Sequence, residues 1–222
     1  MDWQALWLSL RLGGMTVVIL MPIAILVGRW LAVTPIRGKG ALEAVLALPL
    51  VLPPTVFGFY LLVAFGQTNW VGQTWRVIFG SSLVFSFEGI LIASIIVNIP
   101  FAVQPVQRAF EAIGPELREA AQSCGLSFWR GLWRIELPLA WPGILTGMVL
   151  TFAHTLGEFG VVLMVGGSIP GETKTVAIAI YDRVQAFDDQ GAAIMSAVLL
   201  VISLATIALT FILTRRLGRR YD

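Results

Sequence analysis

Charge is what this sequence has least of. Only 13% of its residues are Asp, Glu, Lys or Arg, where a soluble globular domain carries about 25%, so the chain cannot cover itself with a water-facing surface. A single cysteine, Cys124, excludes an internal disulfide and a thiolate metal cage. A single histidine, His154, excludes a multi-histidine metal centre. The two lysines exclude a phosphate loop of the Gly-x-x-x-x-Gly-Lys-Ser/Thr kind. Lys39 follows Gly38, but Val33 stands where the first glycine belongs, and Lys174 follows Thr173. No catalytic residue, metal ligand or cofactor site is therefore expected, and any ATP-derived energy has to come from a partner. The net charge of +2 and pI near 9.0 fit basic loop ends at a membrane better than a nucleic-acid partner.

What is present is apolar sequence, 57% of the chain at a mean hydropathy of +0.84. Leu12–Val27, Ala44–Trp75, Gly89–Gln107, Leu137–Gly157 and Gly191–Thr214 hold no Asp, Glu, Lys or Arg. About 20 apolar residues cross a bilayer. The reading is an all-α integral membrane protein of one domain, 1–222, with about five spans near 8–30, 44–66, 84–107, 141–165 and 191–214 and membrane lipid as a partner. The first stretch lacks a basic start and a small-residue cleavage site, so it reads as a span and not a signal peptide. With alternating crossings, eleven of the fifteen Lys and Arg residues fall on one side. Arg11, Arg76, Lys174 and Arg183 fall on the other. Positive residues stay cytoplasmic, which predicts the N-terminus outside, the C-terminus inside and a cytoplasmic loop over 108–140.

Pro49, Pro53 and Pro54 interrupt the second run. Each removes a backbone donor, leaving two readings, a packed kinked helix or a broken helix lining a pathway. Thr55, Ser86, Asn98, Thr146, Thr151 and Thr155 are candidate polar groups for such a pathway, although a hydroxyl there also bonds its own i−4 carbonyl. Glu158 is the acidic residue inside the fourth run, a functional candidate by its place. A bond to backbone freed near Gly157 or Gly160 is favoured over contact with a substrate or a gate.

One polar stretch, "EAAQSCGLSFWRGLWRIELP" (Glu119–Pro138), sits between these runs. Pro115 at a first helical position and Gly125 just past an end predict a helix over Glu116–Cys124. Leu117, Ala120, Ala121 and Cys124 recur at helical spacing and make one face apolar. At about 15 Å the helix is too short to stand alone in water, so it docks, either on its own protein or on a separate one. Ser127 is the expected cap of a second amphipathic segment, Phe128–Leu137, with Pro138 and Pro142 marking where the fourth span starts.

The spacing of Glu119-Ala120-Ala121, Gly125, Ile135 and Leu137-Pro138 resembles the cytoplasmic EAA loop of permease subunits in binding-protein-dependent ABC importers. That resemblance implies a type I permease fold in a bacterial inner membrane. It implies a helix fitting a groove on an ABC ATPase subunit, with Leu117, Arg118, Glu119, Ala120, Ala121 and Gly125 as coupling residues. It also implies two ATPase copies, a second permease copy forming a homodimer, and a soluble oxyanion-binding protein outside the cytoplasm. "LPLVLPPTVFGFYLL" (Leu48–Leu62) and "LGEFGVVLMVGGSIPGETKTVAIAIY" (Leu156–Tyr181) resemble permeases of molybdate importers, with tungstate and sulfate permeases as close relatives. Pro53, Pro54, Thr55, Thr151 and Glu158 are the expected pathway or gate residues. His154, just before the second run, is not part of that pattern. Two rival classes fit less well. An ion-driven secondary transporter lacks an inverted repeat here and a carboxylate relay beyond Glu158. An intramembrane enzyme has one His, one Cys and few buried carboxylates to work with.

Overall fold

Hydrocarbon offers a backbone amide no water, so apolar runs close their hydrogen bonds internally as helices. In the computed structural model, which describes residues 1–35 and 37–218, the described chain is α1 (Trp3–Val33), α2 (Lys39–Val51), α3 (Pro54–Phe65), α4 (Trp70–Phe79), α5 (Phe87–Glu111), α6 (Pro115–Ser123), α7 (Phe128–Gly131), a π turn (Leu132–Glu136), α8 (Leu137–Gly157), α9 (Gly160–Gly166), α10 (Val176–Gln185) and α11 (Asp189–Gly218). The side chains of 209–211 and 213–222 lie outside the described set. The contribution of Arg215, Arg216, Arg219 and Arg220 to the basic end lies outside it with them.

Helix starts follow local chemistry. The Asp2 carboxylate accepts from the Ala5 amide at 3.0 Å to open α1, and the Ser86 hydroxyl accepts from Gly89 N at 3.1 Å to open α5. Asp188 opens α11 by accepting from Gly191 N at 2.9 Å. That amide, with the Arg183 guanidinium beside it, holds the Asp188 carboxyl below the usual carboxylate range.

α1, α5 and α8 form the core. Leu8 and Leu12 of α1 pack with Ile90 and Leu91 at the start of α5, while Leu31 packs with Val106 and Phe110 at its end, so α1 and α5 run parallel. Gly143 of α8 lies against Ala109 and Pro105, and Gly147 against Ala102, so α8 runs the opposite way. Glycines at these crossings let backbones approach closely, the usual basis of helix association where the solvent is itself apolar. Outward residues such as Val18, Ile23, Leu26, Leu200 and Leu204 remain exposed, as lipid-facing side chains do.

The five expected spans appear with two corrections. Four helices, Trp3–Val33, Phe87–Glu111, Phe128–Gly157 and α11 from Asp189, are long and apolar enough to cross. The second span is not one rod. α2 and α3 meet at 106° across Leu52-Pro53, because Pro53 and Pro54 supply no amide for the ladder, so the helix is broken and not merely kinked. α2 begins where Lys39 Nζ lies 2.9 Å from Glu111 Oε1, and α3 ends where Phe65 packs with Leu83 and Ala93. The pair thus runs from one end of α5 to the other and counts as one crossing. The fourth span, expected over 141–165, runs instead from Phe128 to Gly157 and stops there. Pro138 causes no break: the helix runs on from Phe128 to Gly157, and Pro138 follows directly on the π turn, where Leu137 N reaches Leu132 O. The predicted boundary between an interfacial segment and the span is absent. Ser127 makes no side-chain cap bond.

Gly143→Leu tests the close crossing of α5 and α8. A Cβ there meets Ala109 Cβ at 2.4 Å and the Pro105 carbonyl oxygen at 2.6 Å. Thermal unfolding in detergent is expected to show a loss of about 1–3 kcal/mol; an unchanged midpoint overturns this packing.

Candidate coupling site and membrane break

α6 matches its predicted span to within one residue at its C-terminal end. Pro115 stands in its first turn. Its far end closes as a Schellman motif, with Gly125 N donating to Gln122 O at 2.8 Å and Leu126 N to Ala121 O at 3.1 Å. Gly125 takes φ +76°, a conformation in which a side chain is strained. None of its residues is buried, and Leu117 is 42% exposed. Leu117, Ala121 and Leu126 face a cleft of about 280 Å³ that is closed on its other side by Phe128, Gly131 and Ile135. Glu119, Ala120, Cys124 and Gly125 are exposed. The helix thus keeps an apolar face that its own chain does not bury.

Arg118 turns inward. Its Nη2 donates to the Phe110 carbonyl at 2.7 Å and its Nε to Glu136 Oε2 at 3.3 Å. Glu136, the last residue of the π turn and 5% exposed, also accepts from Arg29 Nε and Nη2 at 2.9 and 2.7 Å. The two guanidiniums outnumber the carboxylate, and the surplus is placed on the Phe110 carbonyl and on the Phe128 ring, 4.4 Å from Arg29 Cζ. Sequence reasoning assigned Glu136 no role and counted Arg29 only among the basic residues of one side. The available signal was a carboxylate directly between Ile135 and Leu137.

The second site is the break after α8. Glu158 is buried, and its Oε1 accepts from Val161 N at 2.9 Å, satisfying an amide at the start of α9. This is the bond to freed backbone that was favoured for it. Asn98 Nδ2 donates to Ser94 O at 2.7 Å and to Thr155 Oγ1 at 3.1 Å. A carbonyl only accepts, so the amide orientation is fixed, and Asn98 Oδ1 accepts from His154 Nδ1 at 3.1 Å. The other ring nitrogen lies 3.7 Å from Glu158 Oε2, and the ring stacks on Phe101 at 4.1 Å.

The remaining candidates divide. Thr146 and Thr155 donate to the i−4 carbonyls of Pro142 and Thr151, and Ser86 caps α5. Thr151 is fully buried, and its hydroxyl has no partner among the described residues. Pro53, Pro54 and Thr55 are exposed at the elbow. A Cβ on Gly160 would lie 2.8 Å from Pro54 Cβ, so the start of α3 rests on the start of α9 and the two breaks meet. Thr55 and Glu158 therefore belong to one neighbourhood, whereas the α6 residues lie at the opposite end of α8.

Residues 21–222 match the family described as binding-protein-dependent transport system inner membrane component, and the chain belongs to that family. It is 48% identical over 187 residues to the molybdenum transport system permease protein ModB of Azotobacter vinelandii, covering 84% of this chain and 83% of that one. It is 36% identical to ModB of Escherichia coli K12, covering 98% and 94%. A sulfate transport system permease protein, CysW of Synechocystis, is 35% identical over 82% of this chain and 65% of its own length. Among solved structures, a bacterial ABC transporter involved in alginate import superposes with a TM-score of 0.77 at 20% identity, covering 96% of this chain and 78% of that one. The MetNI methionine ABC transporter, in an inward-facing conformation, gives 0.71 at 17%, covering 97% and 94%. Both likenesses concern the fold.

Asn98→Leu removes the donor that Ser94 O and Thr155 share and the acceptor that His154 uses. It is expected to lower stability in detergent by about 1–3 kcal/mol, while Thr151→Val, which removes an unpartnered hydroxyl, is expected to be near neutral. Equal midpoints for Asn98→Leu and wild type would show that the network holds nothing.

Proposed function

We propose that this chain is the membrane permease of an ATP-driven importer of molybdate. Its family and its relatives' substrates support that reading, and the observation that carries it is α6, a short helix with defined ends whose apolar face is left open by its own chain. In this reading the exposed side of α6, at Glu119, Ala120 and Gly125, fits a groove on a cytoplasmic ATPase subunit, with half-buried Ala121 at the edge of the cleft beside it. Two ATPases serve two permease copies, and a soluble binding protein delivers the oxyanion at the opposite end. The N-terminus lies outside a bacterial inner membrane and the C-terminus inside. ATP binding moves α6, and the spans alternate between inward- and outward-open states, driven only by the different ATP affinities of those states.

The pathway reading places the elbow at Pro53, Pro54 and Thr55, with Thr151 and Glu158 nearby, along the oxyanion's route. No Lys or Arg stands there to trap a dianion, in keeping with the weak binding that conduction needs. A sulfate permease is the second reading, favoured by the similarity to CysW.

Radiolabelled molybdate uptake in cells with and without the gene, competed by tungstate and by sulfate, tests the substrate. Loss of uptake on deletion, with sulfate a poor competitor, is expected; loss of sulfate uptake alone moves the assignment to sulfate. Ala121→Glu and Gly125→Val are expected to abolish co-purification of the ATPase and uptake while the permease still accumulates in membranes. Normal assembly and transport by both variants would remove the docking role.

A further inference from the structure

We propose that Glu136 is the positioning residue through which movement of α6 reaches the membrane helices, a role that rests on the docking function assigned to α6 above. The geometry leaves α6 few other attachments. It joins α5 through Ala112–Gly114 and α7 through Cys124–Ser127, and none of its residues is buried in the bundle. Across the cleft of about 280 Å³ its apolar side chains face α7 and the π turn without closing on them. The firm non-covalent link is Arg118, whose bonds end on Phe110 O at the close of α5 and on Glu136.

Glu136 in turn holds Arg29 of α1 by two bonds. One carboxylate thus ties the close of α1 and the start of the fourth span to the helix between them. The placement depends on the π turn. Leu137 N reaches back to Leu132 O, five residues instead of four, so one residue more is wound into that turn than an α-helix holds. π turns of this kind recur at functional positions in helices. The Arg29–Glu136 pair suits such a link because its two bonds fix orientation as well as distance, while Arg118 is held by one bond to Glu136 and one to Phe110 O. A displacement of α6 is thereby passed to α1 and to the start of α8 together, not to α8 alone through the chain.

Arg29 tests this away from the docking surface. Arg29→Met keeps the apolar stem and leaves the Arg118–Glu136 bond in place. The assembled complex of permease, ATPase and binding protein is reconstituted in proteoliposomes, and molybdate uptake is divided by ATP hydrolysed. Arg29→Met is expected to assemble and hydrolyse ATP while uptake per ATP falls at least about ten-fold, and Arg29→Lys is expected to restore part of it. Unchanged uptake per ATP in Arg29→Met overturns the proposal. If Arg29→Met does not accumulate in membranes, Arg118→Met reads the same link from the α6 side. A ten-fold loss per ATP in an assembled complex supports the proposal, and either normal coupling or loss of the ATPase overturns it. A wild-type complex without ATP-driven uptake fails the permease reading itself, which separates the two outcomes.

Discussion

A backbone that stops being helical inside hydrocarbon has to find its hydrogen-bond partners within the protein, and the arrangement of this chain turns on that constraint. One crossing is interrupted, at Leu52-Pro53, and the fourth ends at Gly157, the helix resuming as α9 only after Glu158-Phe159. The first is made with prolines, which bring no amide to be satisfied. The second is filled by the Glu158 carboxylate, which accepts the Val161 amide. The two irregular stretches are set against one another, Pro54 on Gly160, while Pro53, Pro54 and Thr55 stay exposed on their outer side.

The two ends of the bundle are held by different means. At the Phe87 end of α5 the loop after α9 is folded on itself and on α1. The Thr173 hydroxyl donates to Gly166 O at 2.7 Å, and Val176 N donates to the Ser9 hydroxyl at 2.8 Å. At the other end the links are charged. Lys39 and Gln107 both reach Glu111, and Arg29 and Arg118 reach Glu136. Ion pairs stand at the Phe87 end too, as Lys174 with Asp182 at 2.7 Å, but they stay within the loop and α10. At the other end they join separate spans, α2 to α5 and α1 to the start of the fourth.

Much of the fold was legible in the sequence because a membrane imposes a coarse code. A run of uncharged residues could only be a helix, and the ends of α6 were marked by Pro115 and Gly125, whose backbone requirements leave little choice. The interruption of the second span was visible as two adjacent prolines, but its angle was not, since that depends on how α9 receives the turn. The fourth span was misplaced because proline was taken as a boundary. Pro138 follows a π turn, and the helix from Phe128 to Gly157 continues through it. Glu136 escaped notice for a similar reason. In the sequence it is one charge among several in a polar loop, and only the fold brings Arg29 to it across 107 positions. The bond of Glu158 to the backbone was foreseen because it is local, three residues away; the meeting of Asn98 with His154 was not, because it joins two helices.

The open face of α6 bears on how such a protein changes over time. Apart from Arg118, its side chains make no bond into the bundle, so its outward residues can be replaced without disturbing the packing of the spans. The bundle can equally be remodelled around a different cargo without altering the helix it presents. Under the proposed function, the demands of a partner and of a transported molecule fall largely on separate sets of positions, joined through Arg118 and Glu136.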